Sequence, residues 1–520
     1  MMHVRSLLLV GTVASLALGI SYTPAGAATS AATQQAIQAQ QAQIDYLKRQ
    51  LELMSDKLNQ LQAQATAPAP VAAAAPAPRV TQTATNKFAI ESADGQYSVG
   101  LTGILQGDVG YYPGFNAKSR SIGTQDLNSG FNARRARIGV TGKAAGDFTY
   151  TFIYDGGNSS DATAKGIEAA QVSYTGIKNL AIDFGYSNTL FTLDQSTSSA
   201  DTLFMERATP SNIATNLNTG DNRSNAGARY FNDRLWLGAY VTGPAVGDVH
   251  GQAERIGAFE RAAYQVLQGP DYTLHIGAGV DELIKAPLNN GAAASTTSVA
   301  NLTTGAITTT NVPSPYSISL SDQPELRVDP MTFASTGTLG SLTNPVTGAQ
   351  IYDVELAGTY GPLFAQGEYY HYQIDRTGLE TATFDGGYGE VAYSLTGESH
   401  KYVPSTASYT RLIPNHAFSP SEGYWGAWEL AGRVSYIDLT SNFRPGKSIS
   451  STSQPSAVNG GKQTSFTAGI NWYPNTYMRF ELNYIHTDFD KVNSSASAGV
   501  VGVPIGATID ALGLRTQVTW

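Results

Sequence analysis

The stretch YSVGLTGILQGDVGY, Tyr97 to Tyr111, decides the fold. Tyr97, Val99, Leu101, Gly103, Leu105, Gly107, Val109 and Tyr111 take every second position, and Thr102, Gln106 and Asp108 lie between them. Successive side chains of an extended chain point to opposite faces, so this stretch has one apolar and one polar side. The pattern recurs. Phe148, Tyr150, Phe152 and Tyr154 alternate with Thr149, Thr151 and Asp155, and Leu180, Ile182, Phe184 and Tyr186 with Asp183 and Ser187. Trp428, Leu430, Val434 and Tyr436 alternate with Glu429, Arg433 and Ser435, and Phe466, Ala468, Ile470 and Trp472 with Thr467 and Asn471. A soluble β-sandwich would alternate as well. These segments are longer than ordinary soluble strands, and aromatics gather near their ends, as a girdle at two membrane interfaces requires.

Strand parity fixes the number. The sequence shows seventeen strand-like stretches, whereas a single-chain bacterial barrel takes an even number. With Trp520 at the periplasmic end, the Pro474-Asn475 and Tyr360-Gly361-Pro362 turns are periplasmic too. Residues from about Leu283 to Gln350 then form one external excursion, and Glu325 to Thr336 becomes part of it rather than a strand. The expected fold is all-β, a 16-stranded antiparallel transmembrane barrel over residues 87–520. The same topology puts Glu398 to Glu422 on the periplasmic side, where turns are ordinarily short.

Ahead of the barrel the character of the chain changes twice. Residues 1–27 read as a cleaved signal peptide: His3 and Arg5, an apolar run from Ser6 to Ile20, then Ala25-Gly26-Ala27. Residues 33–64 carry Ile37, Ile44, Leu47, Leu51, Met54, Leu58 and Leu61 at three-four spacing, the narrow seam of a short parallel coiled coil. A lone amphipathic helix on another surface is the alternative. Residues 65–86, with Pro68, Pro70, Pro76 and Pro78 among alanines, form a semi-rigid linker.

Composition narrows the function. The 520 residues include 53 Gly and 28 Tyr but no Cys, which removes disulfides, thiolate metal sites and cysteine nucleophiles. A formal charge of −9 argues against nucleic-acid binding. The seven histidines lack metal-ligand spacing, and no hydrolase elbow, Walker loop or dinucleotide motif occurs, so neither an enzyme nor a cofactor is expected.

Several motifs in order resemble the phosphate-selective porin O and P family over roughly Asn86 to Trp520. They are FNARRARIGVTG at Phe131 to Gly142 followed by Asp147-Phe148-Thr149-Tyr150, then Ser198-Ser199 with Thr202-Leu203-Phe204-Met205-Glu206-Arg207, and Pro324-Glu325-Leu326-Arg327. Tyr393-Ser394-Leu395-Thr396-Gly397-Glu398, Gly426-Ala427-Trp428-Glu429-Leu430-Ala431 and Gly469-Ile470-Asn471-Trp472-Tyr473 complete them. A terminal aromatic, here Trp520, is also characteristic of outer-membrane barrels. The resemblance implies a homotrimeric porin of the bacterial outer membrane, surrounded by its lipid, with a third external loop folded into the pore. It also implies basic residues that guide small anions.

Anion preference needs positive charge where a pore is narrow, and arginine keeps its charge and bridges oxyanion oxygens. Alternation turns Arg135, Arg137, Arg229, Arg433, Arg479 and Arg515 into the lumen, with Arg261 less regular, and puts Arg134 on the outer face. These arginines could equally brace the wall by pairing with Asp108, Asp155, Asp183, Asp353, Glu355, Glu429 and Glu481. The loop after the fifth strand carries Asp194, Asp201 and Glu206 against Arg207 alone. That excess of negative charge keeps carboxylic acids, sugars and mixed polar solutes open beside phosphate. A third reading makes the chain an envelope tether, with the coil touching cell wall or periplasmic partners and the barrel as anchor.

Overall fold

The computed structural model describes residues 30–66, 78–81, 88–117, 127–157, 166–220, 223–246, 254–287, 295–300, 307–312, 316–450 and 452–520. The expected signal segment 1–27 lies outside these, as do residues 67–77 and 82–86 of the linker and the first expected barrel residue, Lys87.

Alternation closes the sheet into a ring. The strands are β1 (Ser98–Ala117), β2 (Gly130–Ala144), β3 (Phe148–Asp155), β4 (Gly166–Tyr174), β5 (Leu180–Ser187), β6 (Arg223–Phe231), β7 (Leu235–Ala245) and β8 (Ile256–Gln268). They continue as β9 (Tyr272–Lys285), β10 (Val346–Tyr360), β11 (Leu363–Arg376), β12 (Ala382–Ser394), β13 (Ala427–Ser441), β14 (Val458–Tyr473), β15 (Met478–Asp490) and β16 (Ala507–Thr519). Among the described residues these sixteen pair antiparallel with their neighbours, and β16 returns to β1, setting Arg515 opposite Asp108. Short strands Arg79–Thr81 and Phe88–Glu91 extend the sheet along the start of β1.

The outside is apolar and the inside is not. Leu101, Leu105, Val434, Ile470 and Leu514 are exposed on the outer face, while Gln106, Asp108, Arg433, Asn471 and Arg515 on the opposite face of the same strands are buried. A water-soluble sheet would bury the first set; here lipid takes the place of a core. Aromatic rings crowd the periplasmic strand ends, with Trp428 against Trp472 at 5.5 Å and Trp472 against Phe480 at 5.3 Å.

Periplasmic hairpins are mostly tight. The β2–β3 turn uses Ala145 and Gly146, both at positive φ (53° and 72°), which matches the right-handed twist of the flanking strands. External connections are longer. The expected excursion from Leu283 to Gln350 is residues 286–345. Its Ile318–Ser321 and Ser335–Leu339 pair with each other and not with the barrel, as parity requires.

Among the described residues the N-terminal unit is a single helix, α1 (Ser30–Thr66), about 55 Å long at 1.5 Å per residue. Ile37, Ile44, Leu47, Leu51, Met54, Leu58 and Leu61 are all exposed on it.

Trp520 completes the ring. Its backbone exchanges hydrogen bonds with Gly103 (3.1 and 3.2 Å), and its indole covers the space that a Cβ at Gly103 would occupy. Gly103→Val should therefore displace the ring and destabilise the folded barrel by about 1–3 kcal/mol. Heat-induced loss of the detergent-resistant folded band would report it, and an unchanged unfolding temperature would show that the indole contact contributes nothing.

Candidate functional site: chain segments inside the lumen

A large barrel encloses more space than its own side chains fill, and among the described residues three connections enter this one. The loop between β5 and β6 carries two helices, α2 (Leu193–Ser196) and α3 (Thr209–Asn218), and is almost wholly buried. From the long β9–β10 excursion, Glu325, Leu326 and Arg327 reach the same space. From the opposite end, the β12–β13 connection folds upward. Its Arg411 pairs with Asp201 at 2.7 Å, its Ser408 hydroxyl donates to the Ser196 carbonyl at 3.1 Å, and its His400 meets Glu429 at 2.6 Å. The length of 398–422 thus has a physical reason: the segment packs against the β5–β6 loop from beneath. The upper lumen is filled by an apolar cluster including Phe191, Ile213, Leu320, Phe333, Tyr372 and Phe384.

Four of the inward arginines hold that loop. Arg479 donates to the carbonyls of Thr202 and Leu203 at 2.6 and 2.9 Å. Arg433 reaches the Glu206 carbonyl at 2.9 Å and the Glu325 carboxylate at 2.7 Å. Arg261 is bidentate to Glu355 (2.9 and 3.0 Å) and touches the Ser196 hydroxyl at 2.9 Å. Arg515 is bidentate to Asp108, both contacts 2.7 Å, reaches Glu206 at 2.8 Å and also donates to the Met205 carbonyl. The planar guanidinium fork suits such divided duty, because its five N–H groups can serve a carboxylate and a carbonyl together.

Glu206 is the hub. Arg134 grips it bidentately at 2.7 and 3.0 Å, and Arg327 lies 3.3 Å away beside Arg515. Strict alternation places Arg134 on the outer face; the structure places it inside. Gln106 pairs with Arg135 and Gly107 with Ala133, so Arg134 is the extra residue of a β-bulge, and a bulge turns one residue to the other face. Sequence reasoning also missed Glu325, Arg327, His400 and Arg411. Their signals were two connections too long for plain turns, each carrying charged or aromatic residues.

Of the remaining candidates, Arg207 donates to the loop carbonyls of Asp194 and Thr197, while Arg137 and Arg229 pair with carboxylates of the wall. Arg137 pairs with Asp155 and Glu168, both at 2.7 Å, and Arg229 with Asp183. Arg207 pairs with Asp194 at 3.0 Å. Asp353 and Glu429 do not pair with an arginine as the bracing scheme has it: Glu429 takes His400, and neither Asp353 oxygen has a hydrogen-bond partner. Arg135 differs from every other candidate arginine. Its Nη1 donates to Gln106 Oε1 at 2.8 Å, its Nε has no hydrogen-bond partner, and no carboxylate among the described residues pairs with it.

A closed ring with lipid outside and a charged, loop-filled lumen defines a bacterial outer-membrane β-barrel of the porin class. Residues 99–520 match the family described as phosphate-selective porin O and P, and the chain belongs to it. Porin O of Pseudomonas aeruginosa is 24% identical over 426 residues, covering 78% of this chain and 86% of that one. Among solved structures, OmpT of Vibrio cholerae is similar at 12% identity and a TM-score of 0.47, covering 85% of this chain and 100% of that one. An anion-selective porin from Comamonas acidovorans gives 12% identity and a TM-score of 0.41, covering 82% of this chain and 100% of its own. The protein is accordingly a channel of the outer membrane and not an enzyme.

Burial by itself would raise the Glu206 carboxyl, but Arg134, Arg515 and Arg327 together hold it well below the usual carboxylate range. A depressed folded value contributes stability that is present above the unfolded value, about 4.3, and lost only as pH falls through the folded one. The loop should therefore stay attached at mildly acidic pH. Glu206→Gln leaves buried guanidinium groups uncompensated, a loss of about 3–5 kcal/mol. Thermal unfolding followed at neutral pH checks this; a variant as stable as the wild type would show that the arginines find other partners.

Proposed function

We propose that the barrel is an anion-preferring porin for small hydrophilic solutes, with a path that runs beside Arg135 and is narrowed by the β5–β6 loop. The unpaired guanidinium of Arg135 carries this reading. Around Glu206, the side chains of Arg134, Arg135, Arg327 and Arg515 face the carboxylates of Glu206, Asp108 and Asp322, which leaves one positive charge over. The loop carboxylates, negative in excess by sequence, are each met by an arginine: Asp194 by Arg207, Asp201 by Arg411 and Glu206 by its cluster. Arg137 and Arg229 are more open to the lumen, with 15% and 20% of their side chains exposed. They supply hydrogen-bond donors along the same wall but share their charge with carboxylates. One surplus charge favours small anions in general and does not by itself pick out phosphate.

Reversal potential in a planar bilayer under a salt gradient tests this. The wild type should favour anions, and Arg135→Gln should bring the permeability ratio several-fold toward unity. Unchanged selectivity in the variant would remove Arg135 from the path. Phosphate added to the chloride current should block weakly, since multidentate capture of an oxyanion needs more than one free guanidinium.

We also infer that the exposed apolar stripe of α1 joins three copies of the chain. Most of the stability of such a helix comes from packing its apolar face against a partner. Replacing Leu47, Leu51 and Leu58 together by Asn should weaken the trimer in native electrophoresis while single-barrel conductance persists. If trimer stability is unaltered and envelope integrity suffers instead, the stripe serves the tether reading.

A further inference from the structure

Asp353 and Glu355 lie two residues apart on the inner face of β10, and Glu368 on β11 stands directly opposite Glu355. Ligand oxygens of all three come within 4.8 Å of one another. Directly opposed like charges are unfavourable across strands even on exposed sheets, and here all three side chains are buried.

Their partners do not balance them. Arg261 neutralises Glu355, and Arg207 neutralises nearby Asp194. Glu368 receives only uncharged donors: the N–H groups of Leu193 and Asp194 at 2.7 and 3.0 Å, and the hydroxyls of Tyr370 and Tyr388 at 2.9 and 2.7 Å. Asp353 is 2% exposed and receives nothing on either oxygen. His275, fully buried, points Nε2 at the cluster from outside it, 3.7 Å from Glu355 Oε2 and without a hydrogen-bond partner. The three carboxylates against Arg261 alone leave two negative charges over. A buried carboxylate with no partner is costly enough to demand a counter-charge, and an unsatisfied group of this kind marks a place where an ion belongs.

We propose that Asp353, Glu355 and Glu368 bind one divalent cation, Ca2+ by chemistry, which fixes the β5–β6 loop to the barrel wall. The donor set is carboxylate oxygen, the preference of a hard cation, and oxygens within 4.8 Å of one another can all meet one Ca2+ at about 2.3–2.6 Å. Mg2+ dehydrates reluctantly and usually keeps several waters, which suits a buried carboxylate cluster less well. Carboxylate oxygens carry two lone pairs each, so Glu355 can keep Arg261 and Glu368 can keep its loop amides while both ligate. The excess of two charges equals the charge of the ion. Because Glu368 holds Leu193 and Asp194, and Arg261 holds Ser196, the ion ties the start of α2 to β8, β10 and β11.

The test uses the full chain, refolded in detergent free of lipopolysaccharide and stripped with EDTA. Millimolar Ca2+ should raise the wild-type unfolding temperature by several degrees, and Asp353→Asn should lose most of that shift. No shift in the wild type would overturn the site and leave Asp353 a protonated acid; an equal shift in the variant would assign the effect to surface carboxylates. Should Asp353→Asn fail to fold, terbium luminescence reads the same site. Tyrosine-sensitised Tb3+ emission should saturate at one ion per chain, be displaced by Ca2+, and fall in Tyr388→Phe. Emission that neither Ca2+ nor Tyr388→Phe reduces would also overturn the proposal.

Discussion

A strand that crosses lipid has no water to satisfy its backbone, so every N–H and C=O must find a partner within the protein. This constraint closes the sheet: β16 must return to β1, and where Trp520 stops pairing at Gly103, the strand Phe88–Glu91 takes over the exposed edge of β1. Closure fixes the alternation, since one face of every strand now meets lipid and the other a lumen. Everything chemical about the molecule follows on the inner face. The polar residues that a soluble protein would show to water are here gathered around an enclosed space and must be paired there.

The pairing explains why so many arginines are present without making a strongly basic channel. Arg261, Arg479 and Arg515 each divide their donors between a wall carboxylate and the β5–β6 loop, and Arg433 between that loop and Glu325 of the β9–β10 excursion. A loop inside a barrel carries backbone carbonyls that cannot all reach water, and an unmet buried group costs about 1–3 kcal/mol. Guanidinium forks meet those carbonyls while their charge is cancelled by the wall. Bracing of the loop thus falls to these four arginines.

Much of this was legible in the sequence, to unequal degrees. The period of two at Tyr97 to Tyr111 gives the inner and outer faces correctly, because lipid tolerates no exceptions over the length of a strand. Parity gives the strand number, because hairpins return the chain to the same side. What alternation cannot show is an inserted residue. Arg134 and Arg135 are adjacent in sequence, yet both face inward, since the bulge at Gln106–Gly107 absorbs one of them. Nor can it show partners brought together by loops from opposite ends. Asp201 and Arg411 are 210 residues apart and meet only because one connection descends while another rises. The segment 398–422 was visible as an excess of length on the wrong side; its destination was not.

The strength of any preference is set by how much charge survives this cancellation. Two unit charges 4 Å apart interact by about 1 kcal/mol in water and about 4 kcal/mol at an effective dielectric of 20. A single surplus guanidinium that faces water would lie near the lower figure, a several-fold bias. An oxyanion-specific site would need two or three forks converging free of carboxylates, so that each phosphate oxygen meets its own donor. Here Arg134, Arg327 and Arg515 do converge, but on Glu206. The chain has built the geometry of an oxyanion site and filled it with a carboxylate of its own, so that what the arginines bind most tightly is the loop itself.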